Sequence, residues 1–164
     1  MKHTSTLSFQ VAGVFALLLM MGCGGSAVQQ AERESTYRES LVSAARDEII
    51  READQTIILR YGYRFQETRT DSNDDLRFVT AWKDVTPTED EQALGYQGAQ
   101  TRITLMARPR NRLGGASESF SVQFIGEVQL MEMNVWKRVP MTEQREAYFK
   151  EIADYLNRKL QTGF

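Results

Sequence analysis

The stretch Glu118-Ser119-Phe120-Ser121-Val122-Gln123-Phe124-Ile125-Gly126-Glu127-Val128-Gln129-Leu130-Met131-Glu132-Met133-Asn134 decides the fold class. Phe120, Val122, Phe124, Val128 and Leu130 share one parity, and Gln123, Ile125, Glu127, Gln129 and Met131 share the other. A period of two sustained this long describes a strand with one face in a core. Gly126 in its middle predicts a bend or bulge, which a long strand needs to follow the twist of a sheet. The strand requires neighbours, and the flanking sequence supplies them.

Upstream, residues 101–108 alternate Ile103, Leu105 and Ala107 with Arg102, Thr104, Met106 and Arg108, and Pro109 ends the run. The turn 110–115 joins it to the long strand. Farther upstream, Tyr63 and Phe65 alternate with Arg64 and Gln66. Beyond an Asp-rich turn, Leu76, Phe78 and Trp82 alternate with Arg77, Val79 and Lys83. These are two arms of a hairpin. The connection 86–100 carries Pro87, the acidic run Glu89-Asp90-Glu91 and two glycines, and its length marks it as mobile or as a contact site.

Helices flank the strands. After Pro140, Thr142 caps a helix running to about residue 162, with Tyr148, Phe149, Ile152, Ala153, Leu156 and Leu160 on its apolar stripe. Glu146/Lys150 and Asp154/Arg158 stand at i,i+4 on the other side, and Gly163 follows as a C-cap. Before the strands, Leu41, Val42, Ala45, Ile49, Ala53 and Ile57 form a drifting stripe that predicts a helix from Tyr37 to Tyr61, closed by Gly62. Met131, Met133, Trp136 and Tyr148 are expected in the core. The expected fold is α+β in two layers: a four-stranded antiparallel meander with one helix before it and one after, both on one face.

The chain has 164 residues, 41% hydrophobic and 26% charged, which suits one globular domain over residues 37–164. A formal charge of -2 offers no strong attraction to nucleic acid, so none is expected as a partner. The single His and the single Cys, His3 and Cys23, both lie in the first 23 residues.

That N-terminus reads as an address. Residues 1–6 are polar with Lys2, and an apolar run from Val11 to Met21 follows, too short to span a bilayer. Next comes Leu19-Met20-Met21-Gly22-Cys23-Gly24-Gly25-Ser26, which resembles the lipobox of bacterial lipoproteins, although Met20 stands where Leu is commoner. The resemblance implies removal of residues 1–22 by cleavage between Gly22 and Cys23, lipid attachment at Cys23, and a tether over residues 23–36. Several acyl chains on one residue give near-permanent anchoring. Gly24 after the Cys, in place of Asp, implies export to the outer membrane with the domain facing the periplasm.

Cleavage leaves nineteen basic and twenty-two acidic side chains and no His. Ser-His-Asp and Cys-His nucleophiles, Cys/His zinc sites and thiol redox chemistry are then excluded, and no cofactor or metal is expected. No phosphate-cradling Gly-rich loop is present. Residues Asp71, Asn73 and Asp75 begin like a calcium loop, but Leu76 replaces the turn glycine and Trp82 the closing Glu, so a polar turn is the ordinary reading.

The lipobox, the tether, the helix ending at Tyr61-Gly62-Tyr63, four strands and a closing helix together resemble the helix-grip domains of BamC (NlpB)-type outer-membrane lipoproteins. That likeness lies in element order and implies an accessory binding role in envelope assembly; no residue role transfers from it. The residues point the same way. With the helices on one face, Arg64, Arg77, Lys83, Arg102, Met106 and Arg108 fall on the open face, an expected docking surface for an acidic envelope partner. Arg108, Arg110 and Arg112 concentrate guanidiniums suited to phosphate headgroups. A hydrolase using carboxylates such as Glu118, Glu127 and Glu132 is the alternative, and a small lipid carrier with a cavity between helices and sheet is another. Glu127 and Glu132 differ in strand parity, which separates them.

Overall fold

In the computed structural model, residues 34–70, 74–110 and 119–162 are described. The alternating stretch becomes the long strand β6 (Phe120–Glu132), and its neighbour 98–109 becomes β5 (Gly98–Pro109). The elements in order are β1 (Thr36–Ala44), α1 (Arg46–Ala53), a π-helical continuation (Asp54–Arg60), β2 (Phe65–Thr70), β3 (Leu76–Thr80), β4 (Lys83–Val85), α2 (Glu89–Ala93), β5, β6, β7 (Val135–Lys137) and α3 (Glu143–Gln161).

Among the described residues the protein is an α+β fold with one seven-stranded sheet and three helices. The sheet runs β1-β6-β5-β3-β2, with β4 extending beside β5 and β7 beside β6, and every pairing is antiparallel. α3 lies against β1, α1 and the π-helical segment. Between helices and sheet, Phe124, Ile103, Leu105, Phe149, Ile152, Leu156, Ile49 and Ile57 are fully buried. Each such side chain contributes roughly 1.5–3 kcal/mol of transfer free energy, which makes this layer the main source of stability.

Several local expectations match. Gly62 has φ +68 and closes the helix, its N–H donating to Ile58 O and that of Tyr63 to Ile57 O. The Thr142 hydroxyl accepts from Arg145 N at the start of α3.

Others are corrected. Residues 36–44 form a strand, not the first turns of a helix: Tyr37, Glu39 and Leu41 pair with Gly126, Phe124 and Val122 of β6. The helix starts at Arg46, and only Ile49, Ala53 and Ile57 of the predicted stripe are its buried face, while Ala45 is exposed. The tether ends earlier than Thr36, because Ser35 is buried and its carbonyl accepts from Val128 N. Gly126 is not a bulge, since β5 and β6 stay in register from Gly98↔Met131 to Pro109↔Phe120. Its hydrogen is needed because a Cβ there would stand 2.5 Å from Phe149 Cγ.

The connection 86–100 is pinned rather than loose. It contains α2, opened by a Thr88/Glu91 capping box, and Glu91 forms a fully buried pair with Arg145. Arg145 Nε and Nη2 donate to the carboxylate at 2.9 and 2.6 Å, and Nη2 also donates to Thr86 O at 3.2 Å. Beside this pair, Tyr63 Oη lies 2.8 Å from Thr101 Oγ1 and 3.1 Å from Tyr148 Oη, and burial holds its phenol well above the ordinary tyrosine range. Met133 and Trp136 are exposed, not core.

Candidate functional site

The face of the sheet away from the helices is built by the second parity of each strand. β1 presents Arg38 beside Ile125 of β6; β5 presents Arg102, Thr104 and Met106; β3 presents Arg77 and Val79, with Arg77 opposite Met106. Together with Gln66, Glu67 and Arg138 these residues line a depression of about 830 Å³. Its floor combines apolar Val79 and Ile125 with the hydroxyl-bearing Thr104, all buried although among the described residues no helix covers them.

Its walls are cationic. Arg102 donates from Nε and Nη2 to the two oxygens of Glu127, each at 2.8 Å, and its guanidinium lies 4.7 Å from the ring centroid of Trp82. Arg138 reaches the same carboxylate at 3.6 Å, and Glu67 is held by Arg69 at 2.6 Å. Both acids of the lining are thereby engaged. Arg38 and Arg77 have no acidic partner within ion-pair distance among the described residues, and both are exposed. Two guanidiniums over this floor can take a carboxylate or phosphate by paired N–H donors while Val79 and Ile125 receive aliphatic carbon.

The expected face is therefore assembled in part. Arg77, Arg102 and Met106 line this depression, and Arg108 with Met106 lines a smaller neighbouring one of about 240 Å³ toward the Pro109 end. Lys83 is on the opposite side. The chain switches faces across Ala81-Trp82, so Lys83 pairs with buried Thr101, lies 4.9 Å from the Tyr63 ring centroid and donates to Tyr61 O. Arg64 precedes β2 and lines neither depression. Arg38, Arg138 and Trp82 were not anticipated; strand parity from Tyr37 onward would have placed Arg38.

Of the other proposed groups, Cys23, Gly22, Arg112, Glu118 and the start of the Asp-rich turn lie outside the described residues. Arg108 and Arg110 stand at the far end of β5, Arg108 being 3.6 Å from Asp75. Glu127 is in the depression whereas Glu132 pairs with Lys137 at 2.6 Å, so these carboxylates are not brought together. Among the described residues no cluster of His, Cys, Asp and Glu is arranged to hold a metal, and no helix is long and apolar enough to cross a membrane. No family model, curated protein or solved structure matches this chain.

Proposed function

We propose that this protein is a lipid-anchored, non-catalytic binding module of the bacterial envelope, which seats an acidic segment of a partner protein in the arginine-lined depression. The observation that carries the binding role is the surplus of cation over a floor that includes apolar Val79 and Ile125. Arg102 and Arg138 are engaged by Glu127, and Arg38 and Arg77 remain to receive an anion from outside. The shape of the depression favours an extended ligand, since it runs across the strands from β1 to β2.

The anchoring half of the proposal rests on the lipobox reading of Gly22-Cys23, with lipid on Cys23 and outer-membrane sorting through Gly24. The likeness to BamC-type helix-grip lipoproteins, read from element order, suggests an accessory role in assembly, although from Arg46 to Gln161 the chain has six strands and the short α2 between its two longer helical segments where that order has four strands, and β1 precedes them. A photo-crosslinking residue at Met106, in the lipid-anchored chain in living cells, tests the docking face. One discrete envelope partner, lost when Arg38 and Arg77 are both changed to Glu, is the expected result. Recovery of lipoprotein-sorting factors alone overturns the proposal.

A further inference from the structure

The exposed large apolar side chains are not scattered. Among the described residues they are Leu59, Leu94, Met133, Val135 and Trp136, and all but Leu59 belong to one end of the sheet. Met133 is 83% exposed, Leu94 66%, Val135 55% and Trp136 38%. The β6–β7 hairpin carries three of them. Its two turn residues, Met133 at φ +49 and Asn134 at φ +63, form a tight left-handed turn. Asn tolerates that conformation, whereas a Met there is uncommon and wholly outside the core. Leu94 precedes Gly95-Tyr96-Gln97, and Gln97 N donates to Met131 O at 2.9 Å, so the end of α2 rises beside the same hairpin.

The N-terminal chain enters at this end too. Glu34 O accepts from Met141 N at 2.9 Å, Ser35 O accepts from Val128 N, and Thr36 pairs with Glu127. From the level of Val128, where Ser35 joins the sheet, the strand rises about 3.3 Å per residue, so the Met133 tip lies roughly 17 Å from that level. The Arg108–Arg110 turn lies roughly 30 Å the other way, at the level of Ser119.

We propose that the tip formed by Met133, Val135 and Trp136, with Leu94 beside it, is a shallow bilayer contact that orients the domain on the membrane, a proposal resting on the lipoprotein reading of Cys23. A lipid on Cys23 would hold the bilayer through the tether to Glu34, and Glu34 joins the fold nearer to the bare apolar end than to the Arg108–Arg110 turn. The chemistry suits the interface. Trp is favoured at headgroup depth, and Met and Val supply small apolar anchors. The depression then opens sideways along the membrane plane, on the sheet face and not at its end.

The test uses the full chain made in bacteria and carrying Trp82→Phe, which leaves Trp136 as its sole tryptophan. The chain is reconstituted on phosphatidylethanolamine–phosphatidylglycerol vesicles containing a headgroup-level nitroxide lipid. Trp136 emission is expected to shift to the blue and to be quenched, and Met133→Ser with Val135→Ser is expected to abolish both changes. Circular dichroism of that double variant should match the parent, since both side chains are exposed. The mass of the N-terminal peptide reads lipidation separately. Quenching without lipid on Cys23 upholds the tip and removes the anchor; a lipidated chain on vesicles with unquenched Trp136 overturns the tip and leaves the anchor. An unlipidated, unquenched chain, or one whose Trp136 is shielded by a second copy in solution, also overturns it.

Discussion

Gly126 and the Glu91–Arg145 pair show how single residues hold this fold. Phe149 is fully buried and lies over Gly126, flanked by Tyr37, Phe124 and Tyr148 at centroid distances of 6.3, 6.4 and 5.5 Å. A Cβ at 126 would meet the Phe149 ring, and both the strand and the ring are fixed from several sides. Gly126→Ala is expected to destabilise by about 1–3 kcal/mol, the usual cost of overpacking a core, read by urea unfolding. Gly126→Ala combined with Phe149→Leu should lose less than the sum of the two single changes. The Glu91–Arg145 pair makes a different prediction. With side chains 1% and 3% exposed, neither charge has water to fall back on. Arg145→Met leaves a buried carboxylate without its partner and is expected to cost about 3–5 kcal/mol, while Glu91→Gln with Arg145→Met should recover much of it. Equal losses in the single and double variants would show that the unpaired carboxylate is not the source of the cost.

At the scale of elements, α2 is joined to α3 by more than that pair. Asp90 Oδ2 accepts from Gln144 N at 3.3 Å, its Oδ1 accepts from Glu91 N at 2.9 Å and from the Thr88 hydroxyl, and Glu89 N donates to Gln144 Oε1. Desolvation is the largest single influence on Asp90 and raises its pKa, but the hydrogen bonds from Thr88, Thr142 and the backbone of Gln144 and Glu91 together outweigh it and hold the carboxyl below the usual aspartate range. A carboxylate depressed in the folded state contributes stability above its unfolded value and loses it as pH falls through the folded one. The melting temperature of the parent should therefore fall more steeply than that of Asp90→Asn below about pH 4, and the two slopes should agree near neutrality. Parallel curves through the acid range would exclude the contribution.

The same scale explains what could be read from sequence. β5, β6 and α3 were legible because each repeats one period over many residues, and burial on one face leaves no other solution. β1 was not legible. Its core side carries Tyr37, Glu39 and Leu41, and the Tyr37 hydroxyl donates to the Glu39 carboxylate, so a strand pattern is broken by a charge that the fold tolerates by local pairing. Leu41 and Ala45 then happen to continue the i,i+4 rhythm of Ile49, Ala53 and Ile57. Losing β1 cost the site Arg38. Lys83 was misplaced for a related reason: the face switch at Ala81-Trp82, where Ala81 N donates to Arg64 O, has no local sequence signal.

The whole molecule divides its work by face and by end. Among the described residues one face of the sheet is filled by α1, its π-helical continuation and α3, and the other is left open, with Val79, Thr104 and Ile125 sheltered by arginines rather than by a helix. That division lets ligand affinity and stability be altered separately. Arg38 and Arg77 are exposed and engage no acid among the described residues, so Arg38→Glu with Arg77→Glu should shift the melting temperature little. Against a fluorescent peptide rich in Asp and Glu, the same variant should bind at least about tenfold more weakly, since two attractive contacts become repulsive. Parent affinity should also fall as salt rises, because both guanidiniums are at the surface and screened within about 8–10 Å. Arg102→Ala separates position from charge. It frees Glu127, withdraws the cation from Trp82 and uncovers the floor, so it should weaken the peptide and also lower stability. A charge-reversed variant that keeps parent affinity at low salt would place the acidic ligand elsewhere, however well the depression fits it.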